Sequence, residues 1–214
     1  MLKIPCSYVA GLTNNNRFKN KWETIASLIT RYNPKIMKYF LTSGEIQRIK
    51  NKNFYVDTRK AAIVKKCLRG EEVLIPARYR NQVAGIIREK LHNFKNAHEF
   101  ITKQFENFSL YGQTDGFYKD HVLEFKTRMR YYYIPPHDLI QLGCYMIIKQ
   151  SKGVLVQDLH GKFKEQFWTL EDMEIFMKPI LEDLNKVVLQ ITKIFSGDIT
   201  DSERSEIRRS LLRH

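Results

Sequence analysis

The stretch from Leu110 to Tyr145 brings together charged and proton-donating side chains in a pattern of strand, tight turn, strand, loop and helix. These residues are Asp115, Glu124, Lys126, Gln141 and Tyr145. A two-residue turn at Lys119-Asp120 gives a register in which Asp115 lies directly opposite Glu124, and a four-residue loop with the same centre keeps this pairing. We therefore predict that the Cβ atoms of the two acids lie about 4.5–5.5 Å apart.

The predicted pairing of two acids requires a positive charge nearby. Directly opposed like charges destabilise a sheet, and a divalent cation with hard oxygen ligands, such as Mg²⁺ or Mn²⁺, would offset them. Glu124 and Lys126 are two residues apart, so they project from the same face of a strand that is otherwise apolar. The alternative is an acid–amine pair on a solvated sheet face.

Three motifs in this order resemble the PD-(D/E)xK nuclease superfamily. They are Gly112-x-x-Asp115-Gly116, Glu124-Phe125-Lys126 and Gln141-x-x-x-Tyr145. The third is the pattern of the RecB-like and YqaJ/phage-lambda-exonuclease-like branches, and its two named residues share a helix face. Thr114 stands where the motif of the superfamily has proline. The resemblance covers residues 4–30 and 80–170, and the helices predicted between 34 and 70 have no counterpart in it.

The resemblance implies a restriction-endonuclease-like core. We expect a mixed α+β fold with a central mixed sheet of four to five strands, flanked by helices. In such a core Asp115, Glu124 and the backbone carbonyl of Phe125 would bind one or two Mg²⁺ ions, and Mn²⁺ is the alternative metal. Lys126 would orient or activate the attacking water. Gln141 would position that water, Lys126 or a substrate phosphate.

The resemblance also calls for an acid on a helix before the hairpin. Glu89 fits, because the small Gly85 four residues earlier would let that helix approach the sheet. Glu99 is the rival candidate, in a helix that Asn96 would cap. We prefer Glu89 as the further metal ligand, since the apolar face around it is predicted to point inward. Its alternative role is a surface ion pair with a neighbouring basic residue.

Candidate nucleic-acid contacts lie on both sides of the hairpin. Ser7 and Arg17 match a segment that contributes to the site for the DNA 5′ end in the YqaJ-like branch, and a local turn cap is the alternative for Ser7. Arg128, Arg130 and Tyr131-Tyr132-Tyr133 follow the second strand, where they would grip phosphates and stack on frayed bases. The alternative for these residues is a half-buried sheet edge.

The resemblance gives Tyr145 two possible roles. Its ring would pack against the site, or its hydroxyl would contact the nucleic-acid backbone. We count Tyr145 among the predicted nucleic-acid contacts, and packing against the site is the alternative.

The composition favours a polyanionic partner. The chain of 214 residues has 36 Lys and Arg against 23 Asp and Glu, a net charge of +13, and a pI near 9.6. This excess favours nucleic acid or an anionic membrane surface. The apolar fraction of 43%, with 13 Phe and 11 Tyr, argues against a disordered chain. No apolar run reaches the roughly 18 residues of a membrane span.

Cysteine usage indicates a reducing environment. Cys6, Cys67 and Cys144 are few and far apart, without a CxxC pair or a Cys/His cluster, so neither a disulfide framework nor a zinc site is expected. We predict an intracellular protein of the cytoplasm or nucleus. The N-terminal stretch has the composition of folded chain rather than of a signal peptide. The frequent Lys, Asn, Ile, Phe and Tyr are compatible with a viral source.

The chain is predicted to form one nuclease-like domain over residues 1–214. A helical part, 1–78, packs on a catalytic core at 79–170, and C-terminal helices occupy 171–214. In the first half of the chain, helices are predicted at 20–31, from Pro34, from Ser43, and from a cap at Asp57 to residue 68. A further helix is predicted over 78–108, with a break at Asn93 or Asn96. In the second half, helices are predicted at 138–149, 170–195 and 202–212. Strands are predicted at 110–117, 122–126, 153–159 and 163–170.

These features predict a metal-dependent nuclease that hydrolyses phosphodiester bonds of DNA. We expect an exonuclease that acts at duplex ends in recombination, repair or replication. A non-catalytic nucleic-acid-binding or structural protein with the same fold is one alternative, and an RNA endonuclease is another. The expected partner is DNA, with RNA as the alternative and no membrane. A homo-oligomer, or a partner protein that binds or anneals single strands, stays open.

Overall fold

The computed structural model describes residues 1–92, 94–95 and 97–213, without the side chains of residues 54, 55, 57 and 78. The expected helix break at Asn93 or Asn96, and the expected cap at Asn96, lie outside the described residues. The elements are β1 (Leu2–Pro5), α1 (Cys6–Leu12), α2 (Lys21–Tyr32), α3 (Ser43–Leu68), α4 (Arg80–His92), β2 (Phe100–Gln104), β3 (Phe108–Gln113), β4 (Gly116–Tyr118), β5 (His121–Arg128), α5 (Pro136–Lys149), β6 (Gly153–Leu159), β7 (Lys162–Trp168), α6 (Leu170–Ser196) and α7 (Asp201–Arg213). Short 3₁₀ helices cover Pro34–Tyr39 and Ala77–Tyr79.

A mixed four-stranded sheet in the order β4-β5-β6-β7 contains the predicted hairpin. The central strands β5 and β6 are parallel and joined by α5, whereas β4 and β7 pair antiparallel at the edges. Successive residues of β5 face opposite sides of the sheet, so Leu123 and Phe125 lie in a small apolar cluster while Val122 lies in the main core. The mixed α/β class, with a four-stranded sheet flanked by helices, is confirmed.

A separate three-stranded sheet departs from the sequence prediction. Its order is β1-β3-β2, with β1 parallel and β2 antiparallel to β3. The single strand predicted over 110–117 is wrong, because it divides between β3 in this sheet and β4 in the other. Gly116 has a φ of 132°, which side-chain-bearing residues rarely adopt, and it opens β4. Asp115 therefore lies at the junction of the two sheets.

The predicted hairpin turn and its register are confirmed. Lys119 and Asp120 have φ values of 48° and 59°, the left-handed conformation of a two-residue hairpin turn. The pairs Gly116–Leu123 and Tyr118–His121 fix the register. If this register is extended by one residue beyond β4, Asp115 lies opposite Glu124, as predicted.

Two helix predictions are wrong. Helix α3 is continuous and contains Asp57, so this residue begins no helix; the cap is Thr42, which forms a capping box with Glu45. The helix predicted as far as residue 108 ends at His92, and Phe100–Gln104 pairs with β3 as a strand. Helices α2, α5, α6 and α7 and strands β6 and β7 agree with prediction to within two residues.

Helix α5 is the central helix of the molecule. It packs on α1 and α6 as well as on β5 and β6. The main core also includes buried residues of α2 and α7, so the helices of both chain ends cover this helix and the sheets. Polar residues on α5 are thereby held at fixed positions relative to β5.

Helix α6 covers the core with one face. Its buried residues include Met173, Met177, Ile180 and Leu184, at spacings of three and four, and its exposed positions are mostly charged or polar, with a few apolar residues such as Ile175 among them. Across the described parts of the chain, no helix is both long enough and apolar enough to cross a membrane.

Gly116→Ala tests the junction between the sheets. A Cβ at this position would lie 2.8 Å from the Cβ of Phe94 and 2.9 Å from the carbonyl oxygen of Lys95, at a positive φ. We expect the substitution to lower the free energy of unfolding by about 2 kcal/mol, because both the backbone and its neighbours are strained. Chemical denaturation monitored by circular dichroism measures this change.

Gly85→Ala is the matched control. A Cβ at Gly85 meets nothing within 4 Å, so we expect this substitution to leave stability unchanged or to raise it by up to about 1 kcal/mol. Equal destabilisation by both substitutions would contradict our account of the junction. The same open space corrects the predicted role of Gly85, since no close approach of α4 to the sheet occurs at that residue.

Candidate active site

The hairpin brings the predicted acids and lysine together. Glu124 and Lys126 lie two residues apart on β5, and Asp115 immediately precedes β4. The Oδ2 atom of Asp115 accepts a 2.7 Å hydrogen bond from the backbone N–H of Phe125. This bond ties the junction of the sheets to the middle of β5 and holds the Asp115 carboxylate close to Glu124.

Glu124 is a fully buried carboxylate with little compensation. Its side chain is 0% exposed and forms an ion pair with the ammonium of Lys126. Apart from that contact, neither carboxylate oxygen has a hydrogen-bond partner among the described residues. Buried polar groups ordinarily have such partners, so Glu124 is where this cluster most needs further positive charge.

The acids of the cluster resist full ionisation. Burial raises the pKa of Asp115 and of Glu124, Lys126 partly offsets the effect in both, and the charge of Asp115 adds to it at Glu124. Burial opposes the charged form of Lys126, but Glu124, Asp115 and Asp138 outweigh that effect and raise its pKa. At neutral pH the site therefore contains a fixed ammonium beside carboxylates that favour a proton or another cation.

Of the two candidates for a third acid, Glu89 lies at the site. Burial and then the charge of Asp115 raise the pKa of Glu89, and its carboxylate lies 3.7 Å from Nδ1 of His98. Glu99 instead forms a 2.8 Å ion pair with Lys149 at the C-terminal end of α5. The geometry thus favours Glu89 over Glu99.

Gln141 and Tyr145 form a chain of hydrogen bonds. The Nε2 atom of Gln141 donates to Oη of Tyr145 at 2.8 Å, and this hydroxyl donates to the Gln113 carbonyl at 2.9 Å. Tyr145 is only 3% exposed, so the prediction that it contacts nucleic acid is wrong, because the ring is enclosed by the core. Tyr145 packs under the site and fixes the Gln141 amide relative to the end of β3.

Arg128 does not lie on a surface that could grip phosphates. Its side chain is 7% exposed, its Nη2 donates to Oδ2 of Asp138 at 2.6 Å, and its Nε donates to Oε1 of Gln157 at 2.7 Å. Its guanidinium also lies 4.6 Å from the ring centroid of Tyr133. The predicted phosphate contact is therefore wrong, since the charge is already paired and buried.

Among the other predicted nucleic-acid contacts, Ser7, Arg17, Arg130 and Tyr131 are exposed, whereas Tyr132 and Tyr133 are half-buried. Arg130 follows β5 in a bend, and Ser7 is the second residue of α1, where no side-chain cap is formed. Arg17 donates from Nη2 to Oη of Tyr133 at 2.9 Å. Burial lowers the pKa of His137, and the positive charges of Lys126 and Arg17 lower it further. His137 is therefore close enough to feel both charges.

Sequence reasoning missed Asp138 and Cys6. Asp138 is 3% exposed, pairs with Arg128 and contributes to the raised pKa values of the hairpin acids. An acid in the first turn of a helix is common, so its type and position gave no signal of this role. Burial and then Cys144 raise the pKa of the Cys6 thiol, and Glu124 also contributes, which places Cys6 near the carboxylate.

The residues present fit a divalent cation in part. No set of three or more His, Cys, Asp or Glu side chains arranged to hold a metal is found in the described part of the chain. Asp115 and Glu124 are nevertheless hard-oxygen ligands, the first half-buried and the second buried, and the Lys126 ion pair is the one contact made by the Glu124 carboxylate among the described residues. Such a pair suits Mg²⁺, which is usually bound by one or two carboxylates together with waters.

Comparisons with known proteins identify no family. Neither a protein-family model nor a curated protein matches this chain. One solved structure with similarity is described as "Crystal structure of SSO0001"; it is 12% identical over 85% of this chain and 76% of its own, with a TM-score of 0.43. A likeness at that TM-score carries no argument about fold or function.

Glu124→Gln tests the electrostatic description of the site without metal. A carboxyl with a raised pKa contributes stability that is present below its ordinary value of 4.5 and is lost as the pH rises through the folded-state pKa. The variant should therefore have a higher Tm than the wild type at pH 8, by about 3 °C or more, and a similar Tm at low pH. Thermal unfolding in EDTA across this range measures the difference.

Glu106→Gln serves as the control, because Glu106 is exposed and lies outside the helices and strands. Its Tm should follow that of the wild type at every pH. A Glu124→Gln protein that is less stable than the wild type at pH 8 would contradict the account, because the ionised carboxylate would then be net stabilising.

Proposed function

We propose that this protein is a metal-dependent nuclease that hydrolyses phosphodiester bonds of DNA. The observation that carries the proposal is the cluster of buried Glu124 with half-buried Asp115 and Lys126, at a hairpin whose register brings the acids close together. Two carboxylates and an ammonium in this order resemble the PD-(D/E)xK pattern. The net charge of +13 supports a polyanionic substrate.

Asp115, Glu124 and the Phe125 carbonyl would hold the cation, with Glu89 as a further ligand. When bound, a divalent cation supplies stabilisation of charge on the scissile phosphate and lowers the pKa of a bound water. The raised pKa values of the acids are consistent with this, because each favours a compensating positive charge.

Lys126 and Gln141 would position the reacting groups. The raised pKa of Lys126 keeps its ammonium charged, so it offsets phosphate charge and orients water rather than accepting a proton. The Gln141 amide is held by Tyr145 through its Nε2, and none of the described residues donates to its Oε1. That oxygen is suited to accept a hydrogen bond from the attacking water.

A second candidate is a nucleic-acid-binding protein without catalysis. The specific observation in its favour is the net charge of +13, which suits a polyanionic partner whether or not that partner is cleaved. It predicts salt-dependent retention of nucleic acid without cleavage. An RNA endonuclease is a further version of the first proposal, since the cluster itself does not distinguish the sugar.

The finer assignments belong to the same proposal. We propose action at duplex ends, as an exonuclease, and an intracellular reducing compartment, based on the scarce and widely spaced cysteines. The candidate contacts for the nucleic acid are now Ser7, Arg17 and Arg130, because Arg128 and Tyr145 are buried.

A cleavage assay tests the function. Linear duplex DNA labelled at one end, closed circular DNA and RNA are incubated with the protein in Mg²⁺, in Mn²⁺ or in EDTA. We expect cleavage of the linear DNA only with a divalent cation, and a loss of at least about 100-fold in rate for Lys126→Ala, because the ammonium next to the reacting groups is removed.

Lys152→Ala, at an exposed lysine before β6, is the charge-matched control and should cleave at the wild-type rate. An inert wild-type protein, or a Lys126→Ala protein as active as the control, would rule out the proposal. Cleavage of closed circular DNA would contradict the proposed action at duplex ends. Cleavage of RNA but not of DNA would show that the substrate is RNA.

A further inference from the structure

A basic cavity lies between the α2 region and α3, the helix without a counterpart in the PD-(D/E)xK resemblance. Its volume is about 430 Å³, and its described lining contains four cationic side chains and no carboxylate. These cations are Lys19, Arg31, Lys50 and Lys60. Binding cavities for small ligands span about 300–1,000 Å³, so this one is large enough to hold a group such as a phosphate.

Two of the positive charges in this cavity, those of Lys19 and Arg31, repel each other. Burial and then Arg31 lower the pKa of Lys19, with only partial opposition from Glu23. Arg31 and Lys50 form no ion pair with any residue that the structure describes. An anion in the cavity would relieve this repulsion, and the hydroxyl of Tyr8 in its lining is a hydrogen-bonding group suited to a phosphate oxygen.

Helix α3 as a whole is basic. Seven Lys and Arg and two acids lie within Ser43–Leu68, and one of those acids, Glu45, is paired with Arg208 of α7 at 2.8 Å. Its exposed cations include Arg48, Lys50 and Lys52. The cavity is therefore the concave part of a larger positive surface, which is the usual footprint of a nucleic-acid backbone.

The cavity is connected to the candidate active site by a short segment. Lys19 is two residues from Arg17, which donates to Tyr133 beside the α5 N-terminus. Arg17 and Lys126 both lower the pKa of His137, so Arg17 lies on the side of the molecule that faces the active site.

We propose that the cavity between α2 and α3 binds backbone phosphates of the single strand that leads to the active site, with Arg31 and Lys50 as direct contacts. This inference deepens the proposed function, on which it rests for the choice of nucleic acid as ligand. It also gives helix α3 a role, as the element that extends the substrate path beyond the metal site.

The test compares two double variants that remove the same charge. Arg31→Ala/Lys50→Ala alters the cavity, and Lys178→Ala/Lys193→Ala removes two exposed lysines of α6. Binding of a fluorescent oligothymidylate with a 5′-hydroxyl is measured by anisotropy in EDTA over a range of salt. We expect about tenfold weaker binding for the cavity variant, less than twofold for the control, and a decrease of about 1.4 in the salt slope for the cavity variant alone.

A charge-conserving variant, Arg31→Lys/Lys50→Arg, should bind like the wild type, which separates lost contacts from misfolding. Equal binding by the cavity and control variants would overturn the inference. It would also be overturned if the loss appeared only with a 5′-phosphorylated oligonucleotide, because the cavity would then read a terminal phosphate. Because this test measures no cleavage, the two proposals can fail separately. If the wild type cleaves DNA but the cavity variant binds the oligonucleotide as tightly as the wild type, only the inference is refuted. A protein that loses binding yet never cuts refutes only the nuclease proposal.

Discussion

The buried carboxylate of Glu124 lies close to the half-buried carboxylate of Asp115, with the ammonium of Lys126 beside them. Burial makes ionisation of both acids costly, and one lysine offsets the cost only in part. Such a cluster persists in a fold only where the surrounding structure holds it in place. The fold must therefore hold two acids together against their mutual repulsion and the cost of burial. Added positive charge would lower that cost.

The surrounding structure meets this constraint through backbone and side-chain bonds that converge on the hairpin. The Phe125 N–H holds Asp115, and Gly116 supplies the backbone conformation that lets the chain pass from one sheet to the other at that point. Helix α5 is fixed at one end by the buried Arg128–Asp138 pair and further along by the bonds from Gln141 through Tyr145 to the end of β3. Two residues that resembled ligand contacts, Arg128 and Tyr145, are thus part of the frame that holds the site.

The sequence was informative where the structure is local. The turn at Lys119-Asp120, the register of the hairpin and the helix that carries Gln141 follow from periodicity and turn chemistry over short spans. The division of the strands into two sheets was not foreseeable, because it depends on β1 pairing with β3 more than a hundred residues later. The burial of Arg128 likewise depends on Gln157, which comes from a different strand. The choice between Glu89 and Glu99 also needed the fold, since the deciding contact pairs Glu99 with Lys149.

Calorimetric titration of the metal-free protein with Mg²⁺ and Mn²⁺, in two buffers of different ionisation enthalpy, tests the cation site most directly. The account predicts saturable binding with proton release at neutral pH, because acids with raised pKa values give up protons when a cation replaces them. It also predicts that Glu124→Gln loses this binding. Absence of saturable heat, or equal binding by wild type and Glu124→Gln, would contradict it.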